Sequence, residues 1–270
     1  MPELKNAIDV LKLTDRSNCG ECGLPTCLAF SAAVINGTKQ LEDCPKLDED
    51  TLSRYKGAVQ ERDSFERQSE QAMREMQEQI GSTDLEAAAR RIGAPFEKSR
   101  LTIHCLGKKV SVDQQGGIST DIHVNPWIVG PLFNYILASE GVEPTGNWVP
   151  LRDLPGGKDW QAFFNQRCEK PCKKVADTNP DFFDDLISLF SGKKVENHYE
   201  SDVSLVLYPL PKVPILICYW RADGDLPSDL NIFFDETAER NLIIDSIYTL
   251  GAGLVLMFEK IARNHGYELG

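Results

Sequence analysis

The sequence predicts an α+β protein: a small cysteine-rich module, a helical linker, then a larger α+β domain with antiparallel hairpins. Three observations predict it. Strand-type runs come in adjacent pairs joined by short turns. Helical periodicities come in groups instead of alternating one for one with strands, which argues against a doubly wound parallel sheet. Four of the eight cysteines fall within the first 44 residues.

Taken in order, the elements divide the chain into residues 1–50, 51–81 and 82–270. In the first segment Pro25 suits the first turn of a helix running to Ile35, and Gly37 suits its C-terminal cap. Residues 51–80 are polar, with Gly57 the single glycine and no proline. Leu52, Tyr55 and Val59 recur at helical spacing, as do Met73, Met76 and Ile80, which predicts one or two amphipathic linking helices. A break follows at 81–84, where Ser82, Thr83 or Asp84 can cap the next helix. That helix spans 85–92 and ends at Gly93. Residues 100–106 and 109–112 read as a hairpin turning at Gly107-Lys108. Helices are expected over 131–139, 160–168 and 182–190. A second strand pair, 203–208 and 215–220, flanks a turn rich in proline (Pro209, Pro211, Pro214), and 231–234 is a further strand. Residues 242–263 form a long apolar helix in which Gly251 and Gly253 permit close packing or a bend.

Composition bounds the function. The 270 residues are 41% hydrophobic and 26% charged, an ordinary globular balance. The net charge of −12 argues against nucleic-acid binding, which needs basic surface. The charge-free run 247–258 falls well short of the roughly 20 apolar residues of a membrane span. The first residues, Met1-Pro2-Glu3-Leu4-Lys5, lack the pattern of a secretory leader. A cytoplasmic protein without membrane or nucleic-acid partners is the expectation.

The early cysteines read Cys19-x2-Cys22-x4-Cys27-x16-Cys44, followed by Pro45. In a reducing compartment, clustered cysteines point to metal ligation. Gly20 and Gly23 let the CxxC loop turn tightly. Cys27 falls in a first helical turn, where amide groups and the helix dipole favour an anionic thiolate cluster. A structural zinc site also takes four cysteines, usually as two paired knuckles. Here one CxxC is followed by a third cysteine and a distant fourth, which suits a [4Fe–4S] cluster better. Four unrelated buried thiols are the remaining alternative.

Residues 18–45 resemble the small iron–sulfur domain of the large subunit of the corrinoid/iron–sulfur protein. The resemblance is carried by Asn18-Cys19-Gly20-Glu21-Cys22-Gly23, Pro25-Thr26-Cys27, Ala29-Phe30, Gly37 and Glu42-Asp43-Cys44-Pro45. It implies one low-potential [4Fe–4S] cluster passing single electrons, as that family does in rescuing an inactive cobalt centre. The remainder resembles an uncharacterised domain often joined to this module in anaerobes. The carrying residues are Asn147-Trp148-Val149-Pro150-Leu151-Arg152-Asp153-Leu154-Pro155-Gly156-Gly157, Leu210-Pro211-Lys212-Val213-Pro214-Ile215, Asp225-Leu226-Pro227-Ser228-Asp229 and Phe233-Phe234-Asp235.

The larger domain shows no phosphate loop, G-x-S-x-G elbow or H-E-x-x-H pair. His104, His123 and His198 are candidates for an axial or pocket ligand of a corrinoid or other tetrapyrrole, against the plainer reading of hydrogen-bonded histidines. His265 reads as a helix-end residue. The Asp-x-His-x-x-Gly loop of base-off corrinoid binding is absent. Cys168 and Cys172, with Cys105 and Cys218, could supply a second cluster, but incidental buried thiols are the default. Asp223, Asp225, Asp229, Asp235 and Glu236 read as solvated loop and cap residues before a docking face or cation site. The expected function is a low-potential [4Fe–4S] electron-transfer protein working with a redox partner, a corrinoid or a corrinoid protein. A redox enzyme with a substrate pocket in 82–270, and an iron–sulfur sensor or assembly factor, are the alternatives.

Overall fold

The computed structural model describes residues 4, 7–35, 38–55, 65–121, 126–179, 181–196 and 198–267. The chain forms two compact units, Met1–Ala72 and Met73–Gly270. Gly37, Gly57, Val59 and His123, all singled out above, lie outside the described residues.

The first unit holds α1 (Ala7–Leu11), α2 (Cys27–Ile35), a 3-10 turn at Leu41–Asp43 and α3 (Glu49–Arg54). Val10, Phe30, Val34, Leu41 and Leu47 bury their side chains together, so the two short helices pack over the turn that ends at Cys44. Asp48 caps α3 by accepting the Thr51 N–H at 2.7 Å. Helix α4 (Phe65–Ser82) leads into the second unit. There Met73 and Met76 pack against the core and Ile80 is fully buried, as their spacing predicts. The helix runs through Gly81 and Ser82, past the expected break. Asp84 is the cap of α5 (Leu85–Ile92), accepting the Ala87 N–H at 3.0 Å, and Gly93 ends α5 at φ 72°.

The second unit has two antiparallel sheets. One is ordered β1 (Phe96–Glu97), β2 (Arg100–Cys105), β3 (Lys108–Asp113) and β4 (Ile118–Thr120). Its β2–β3 turn is centred on Leu106 and Gly107, both left-handed, one residue before the expected turn. A two-residue turn of this hand matches strand twist. The other sheet is ordered β5 (Trp148–Pro150), β9 (Asp229–Asp235), β8 (Val213–Trp220), β7 (Val203–Leu210) and β6 (Lys193–Lys194). Strands β7 and β8 continue through Pro209 and Pro214, read above as turn residues. A register shift between Leu207 and Leu210 accommodates Pro209, which has no N–H for the ladder. At that irregularity the Tyr208 carbonyl accepts the Leu106 N–H at 2.9 Å, joining the two sheets.

Period-2 alternation sorts the faces of the larger sheet. Leu205, Leu207, Ile215, Ile217, Ile232 and Phe234 face the main core, while Val206, Leu216 and Cys218 belong to a smaller cluster on the other face. Helices α6 (Pro126–Ala138), α8 (Lys170–Thr178), α9 (Phe182–Phe190) and α11 (Ile244–Asn264), with the short α7 (Gln161–Phe164) and α10 (Ala238–Asn241), supply the rest of the core. Pro131 lies inside α6 and not at its start. The expected helix over 160–168 continues into α8 through a π-helical turn at Asn165–Glu169, and Pro171, the second residue of α8, contributes no N–H to this continuous helix. Gly251 and Gly253 serve close packing. A Cβ on Gly251 would lie 2.7 Å from the Phe164 ring, and one on Gly253 would lie 2.5 Å from Trp127 Cβ. The fold is α+β with antiparallel sheets, as the sequence predicts.

Candidate functional site

The four N-terminal cysteines all belong to the first unit, and all are free thiols. Helix α2 starts at Cys27 because Thr26 caps it. The Thr26 carbonyl accepts the Phe30 N–H at 3.0 Å and its hydroxyl accepts the Ala29 N–H at 3.0 Å. Pro25 therefore precedes the helix and does not enter its first turn. The Cys27 N–H donates to Asn18 Oδ1 at 2.8 Å, and the Asn18 N–H returns a bond to Cys27 Sγ at 3.4 Å. This reciprocal pair pins the start of the CxxC loop to the first turn of α2. The Ser31 hydroxyl anchors the same turn by donating to the Cys27 carbonyl at 2.7 Å.

The loop itself needs left-handed backbone. Gly20 and Gly23 have φ 75° and 82°, and Asn18, at φ 53°, is one of the few side chains that tolerate this region. The Gly23 N–H closes the turn on the Gly20 carbonyl at 2.9 Å. Cys44 ends the 3-10 turn, donating its N–H to the Leu41 carbonyl at 3.2 Å, while its own carbonyl accepts the Leu47 N–H at 3.2 Å. Lys46, just beyond Cys44, pairs with Glu21 inside the CxxC loop at 3.1 Å, and this bond raises the Lys46 pKa above its ordinary value. Cys19 is exposed, Cys22 half-buried, and Cys27 and Cys44 are 9% and 8% exposed.

The donor set fits an iron–sulfur cluster: four unpaired thiols, no histidine among them, and a backbone N–H already aimed at one sulfur. Among the described residues, no three His, Cys, Asp or Glu side chains gather closely enough to hold a metal ion, so the structure does not bring the four N-terminal cysteines together as a ligand set.

The other candidates do not gather into a second site. His104 is exposed on β2, opposite Lys109, and borders a cavity. His198 is half-buried before β7, donating its backbone N–H to Ser204 Oγ at 2.8 Å. His265 faces Asp185 at 3.3 Å. Burial pushes the Cys105 thiol up to about 12 and raises Cys168, Cys172 and Cys218 too, favouring the protonated form and not the ligating thiolate. Cys168 and Cys172 lie in the main core, whereas Cys218 lies on the opposite face of the larger sheet, so these four do not form a second cluster set. Asp235 is fully buried and accepts the N–H groups of Gly146 at 2.6 Å and Thr237 at 3.0 Å, a structural role.

A family model described as "Domain of unknown function (DUF3786)" matches residues 84–257, more than half of the chain. The chain belongs to the DUF3786 family. A second family model, described as "Putative Fe-S cluster", matches residues 15–46, the segment that carries all four N-terminal cysteines. Over short stretches the chain is similar to curated proteins. The acetyl-CoA decarbonylase/synthase complex subunit gamma of Methanopyrus kandleri is 43% identical over 49 residues, 18% of this chain and 11% of that protein. The corrinoid/iron-sulfur protein large subunit of Moorella thermoacetica is 45% identical over 38 residues, 14% of this chain and 8% of that protein. The chain thus spans about a tenth of the length of the curated relatives it matches. No solved structure matches the chain.

Sequence reasoning singled out the cysteines but assigned no role to Asn18, Thr26 or the Lys46–Glu21 pair. An asparagine immediately before a CxxC and nine residues before the helix-starting cysteine was the available signal.

Proposed function

We propose that Cys19, Cys22, Cys27 and Cys44 hold one [4Fe–4S] cluster and that the protein is a low-potential electron carrier serving a corrinoid protein. A bound cluster of this kind supplies one-electron transfer. The observation that carries the reading is the reciprocal Asn18–Cys27 pair in a unit holding four free thiols.

Each chain residue then has a task. The thiolates ligate. The Asn18 N–H withdraws charge from the Cys27 sulfur, and the first turn of α2 adds its positive end, so both favour the more negative, reduced state. Exposed Cys19 brings one edge of the site to the surface, where a redox partner can approach. Free thiolates need a reducing compartment, which supports a cytoplasmic place. Residues 1–50 act as the cluster module, 51–81 as the linker and 82–270 as the domain that engages the partner. Two relatives are named as parts of an acetyl-CoA decarbonylase/synthase complex and of a corrinoid/iron–sulfur protein, which supports a corrinoid protein as that partner. A corrinoid carried by the partner is favoured over one held at His104. The cavity there, of about 340 Å³, lies at the low end of the range for small-molecule sites.

The test is anaerobic EPR of the dithionite-reduced Cys27→Ser variant. The reading expects a lost or altered cluster signal at unchanged secondary structure. A wild-type spectrum in the variant contradicts the ligand assignment. A second reading, a redox enzyme with its pocket in the larger domain, is favoured by the same cavity.

A further inference from the structure

The face of the larger sheet turned away from the main core is rich in aromatic rings. Around the buried Val206, Leu216 and Cys218 it carries Trp148, Tyr208, Trp220 and Phe233, each half-buried, and no residue of helices α4–α11 belongs to this cluster. Cross-strand register sets Phe233, Leu216, Val206 and Lys193 side by side in one row from β9 to β6, and Asp229 beside Trp220 in another.

Tyr199 lies on the same face. Its ring stacks on Phe233 with centroids 4.5 Å apart and planes 19° apart. Its hydroxyl donates to the Trp148 carbonyl at 2.6 Å, and its own carbonyl accepts the Trp220 Nε1–H at 3.3 Å. The ring is nevertheless 51% exposed. The backbone reaches this position through two consecutive left-handed residues, Tyr199 at φ 52° and Glu200 at φ 57°, a conformation that side chains disfavour. Three anchors thus offset the backbone cost and hold a large ring at the surface, ordered before any contact is made. Tyr and Trp are the residues on which protein interfaces concentrate their energy.

Charge indicates what covers this face. Alternation along the strands puts Lys193 at its β6 edge, and Asp229 and Asp202 on either side of Trp220. All three are exposed. The Lys193 ammonium lies 5.2 Å from the centre of the Tyr208 ring, on the side away from the acidic row. One end of the face is therefore acidic and the other cationic, with the rings between them. Such a surface complements itself. A two-fold axis lying in the plane of the face sets the acidic row of each copy over the lysine end of the other, and rings against rings. A partner of a single charge sign would match only half of it.

We propose that this face is the contact surface of a symmetric dimer of the chain, with Tyr199, Phe233 and Trp220 of both copies at its centre and Lys193 of each copy facing Asp202 and Asp229 of the other. The inference stands apart from the N-terminal cysteines, because every residue it uses lies in the second unit.

The experiment is sedimentation velocity on the full chain, prepared without oxygen, over a concentration series reaching about 200 µM. A reversible monomer–dimer equilibrium is expected, weakened several-fold when salt rises from about 0.05 to about 0.5 M. Lys193→Glu, at an exposed edge position, is expected to weaken it about tenfold. Tyr199→Asn, which removes the ring but leaves a residue that tolerates left-handed backbone, is expected to do the same at unchanged circular dichroism. Mixing Lys193→Glu with the Asp202→Lys/Asp229→Lys double variant is expected to restore association, because both contacts then join opposite charges again. A chain that stays monomeric throughout the series overturns the proposal and leaves the face to another protein or to none. A dimer that neither single substitution weakens overturns it too, as do folded charge variants that fail to associate when mixed. If the double variant does not fold, the two single variants decide.

Discussion

The apolar core of Met1–Ala72 is built from Leu4, Val10, Phe30, Val34, Leu41, Cys44 and Leu47, whereas that of Met73–Gly270 runs through both sheets and helices α5, α6, α8, α9 and α11. The difference is one of means. A core as small as the first, with a would-be ligand among its own members, sits in the size range where metals or disulfides commonly complete the fold. All its cysteines are free, so under the proposed function a cluster and not a disulfide completes it. The second unit buries Tyr135, Phe133, Phe164, Phe234 and Phe258 to 1% exposure or less and needs no such help. On the proposed reading, one chain joins a ligand-dependent unit to a self-sufficient one.

The largest effect that follows is selective. Chelating iron under anaerobic conditions is expected to abolish amide-exchange protection across α2 and the turn before Cys44 while β7, β8 and α11 stay protected. Equal loss in both units would show that they are not independently stabilised. The converse perturbation is Phe258→Ala, which removes a fully buried ring that packs edge-on against Phe182 at 5.5 Å. It is expected to cost about 3–5 kcal/mol of stability in the second unit, read by chemical denaturation, with the iron content unaltered. Loss of iron in that variant would break the comparison.

A smaller effect separates backbone from capping at Asn18. Its φ of 53° penalises alanine, and its side chain accepts the Cys27 N–H. Asn18→Ala is expected to lose about 2 kcal/mol from the first unit and to release iron faster, and Asn18→Gly about 1 kcal/mol, because glycine restores the backbone but not the acceptor. Iron-release rates of the two variants, measured with a chelator, decide it; equal rates would mean that the left-handed backbone carries no penalty.

The smallest effect lies in the π-helical turn. Glu169 is 4% exposed, and burial raises its carboxyl pKa above the ordinary range even though it accepts from Ile232 N–H at 3.2 Å and Asn165 Nδ2 at 3.0 Å. A raised carboxyl means that the fold prefers the protonated form. Its contribution is full below the unfolded pKa and is lost as pH rises through the folded one. Glu169→Gln keeps an acceptor without the charge, so it is expected to stabilise the second unit by about 1 kcal/mol at pH 8 and by nearly nothing at pH 4. Urea titrations at the two pH values check this, and a gain at pH 4 equal to that at pH 8 would contradict the sign.

What could be read from the chain differs between the units for a physical reason. In the first, spacing alone marked Cys19, Cys22, Cys27 and Cys44, because a ligand loop writes its geometry in short-range sequence. The helix register was also legible where apolar residues recur, as at Met73, Met76 and Ile80. Two strands were cut short at Pro209 and Pro214, because a proline normally ends a ladder and the register shift that rescues Pro209 is a tertiary feature. The helix read as 160–168 hid its continuation because a π turn has no period of its own.

The claim on which the rest depends is that the N-terminal thiols hold iron. Metal analysis of the full chain purified and reconstituted without oxygen, with EPR of the reduced protein, tests it most directly. The account predicts about four irons per chain and a rhombic signal from a reduced [4Fe–4S] cluster. Zinc in place of iron, or a colourless protein that takes up none, would contradict it.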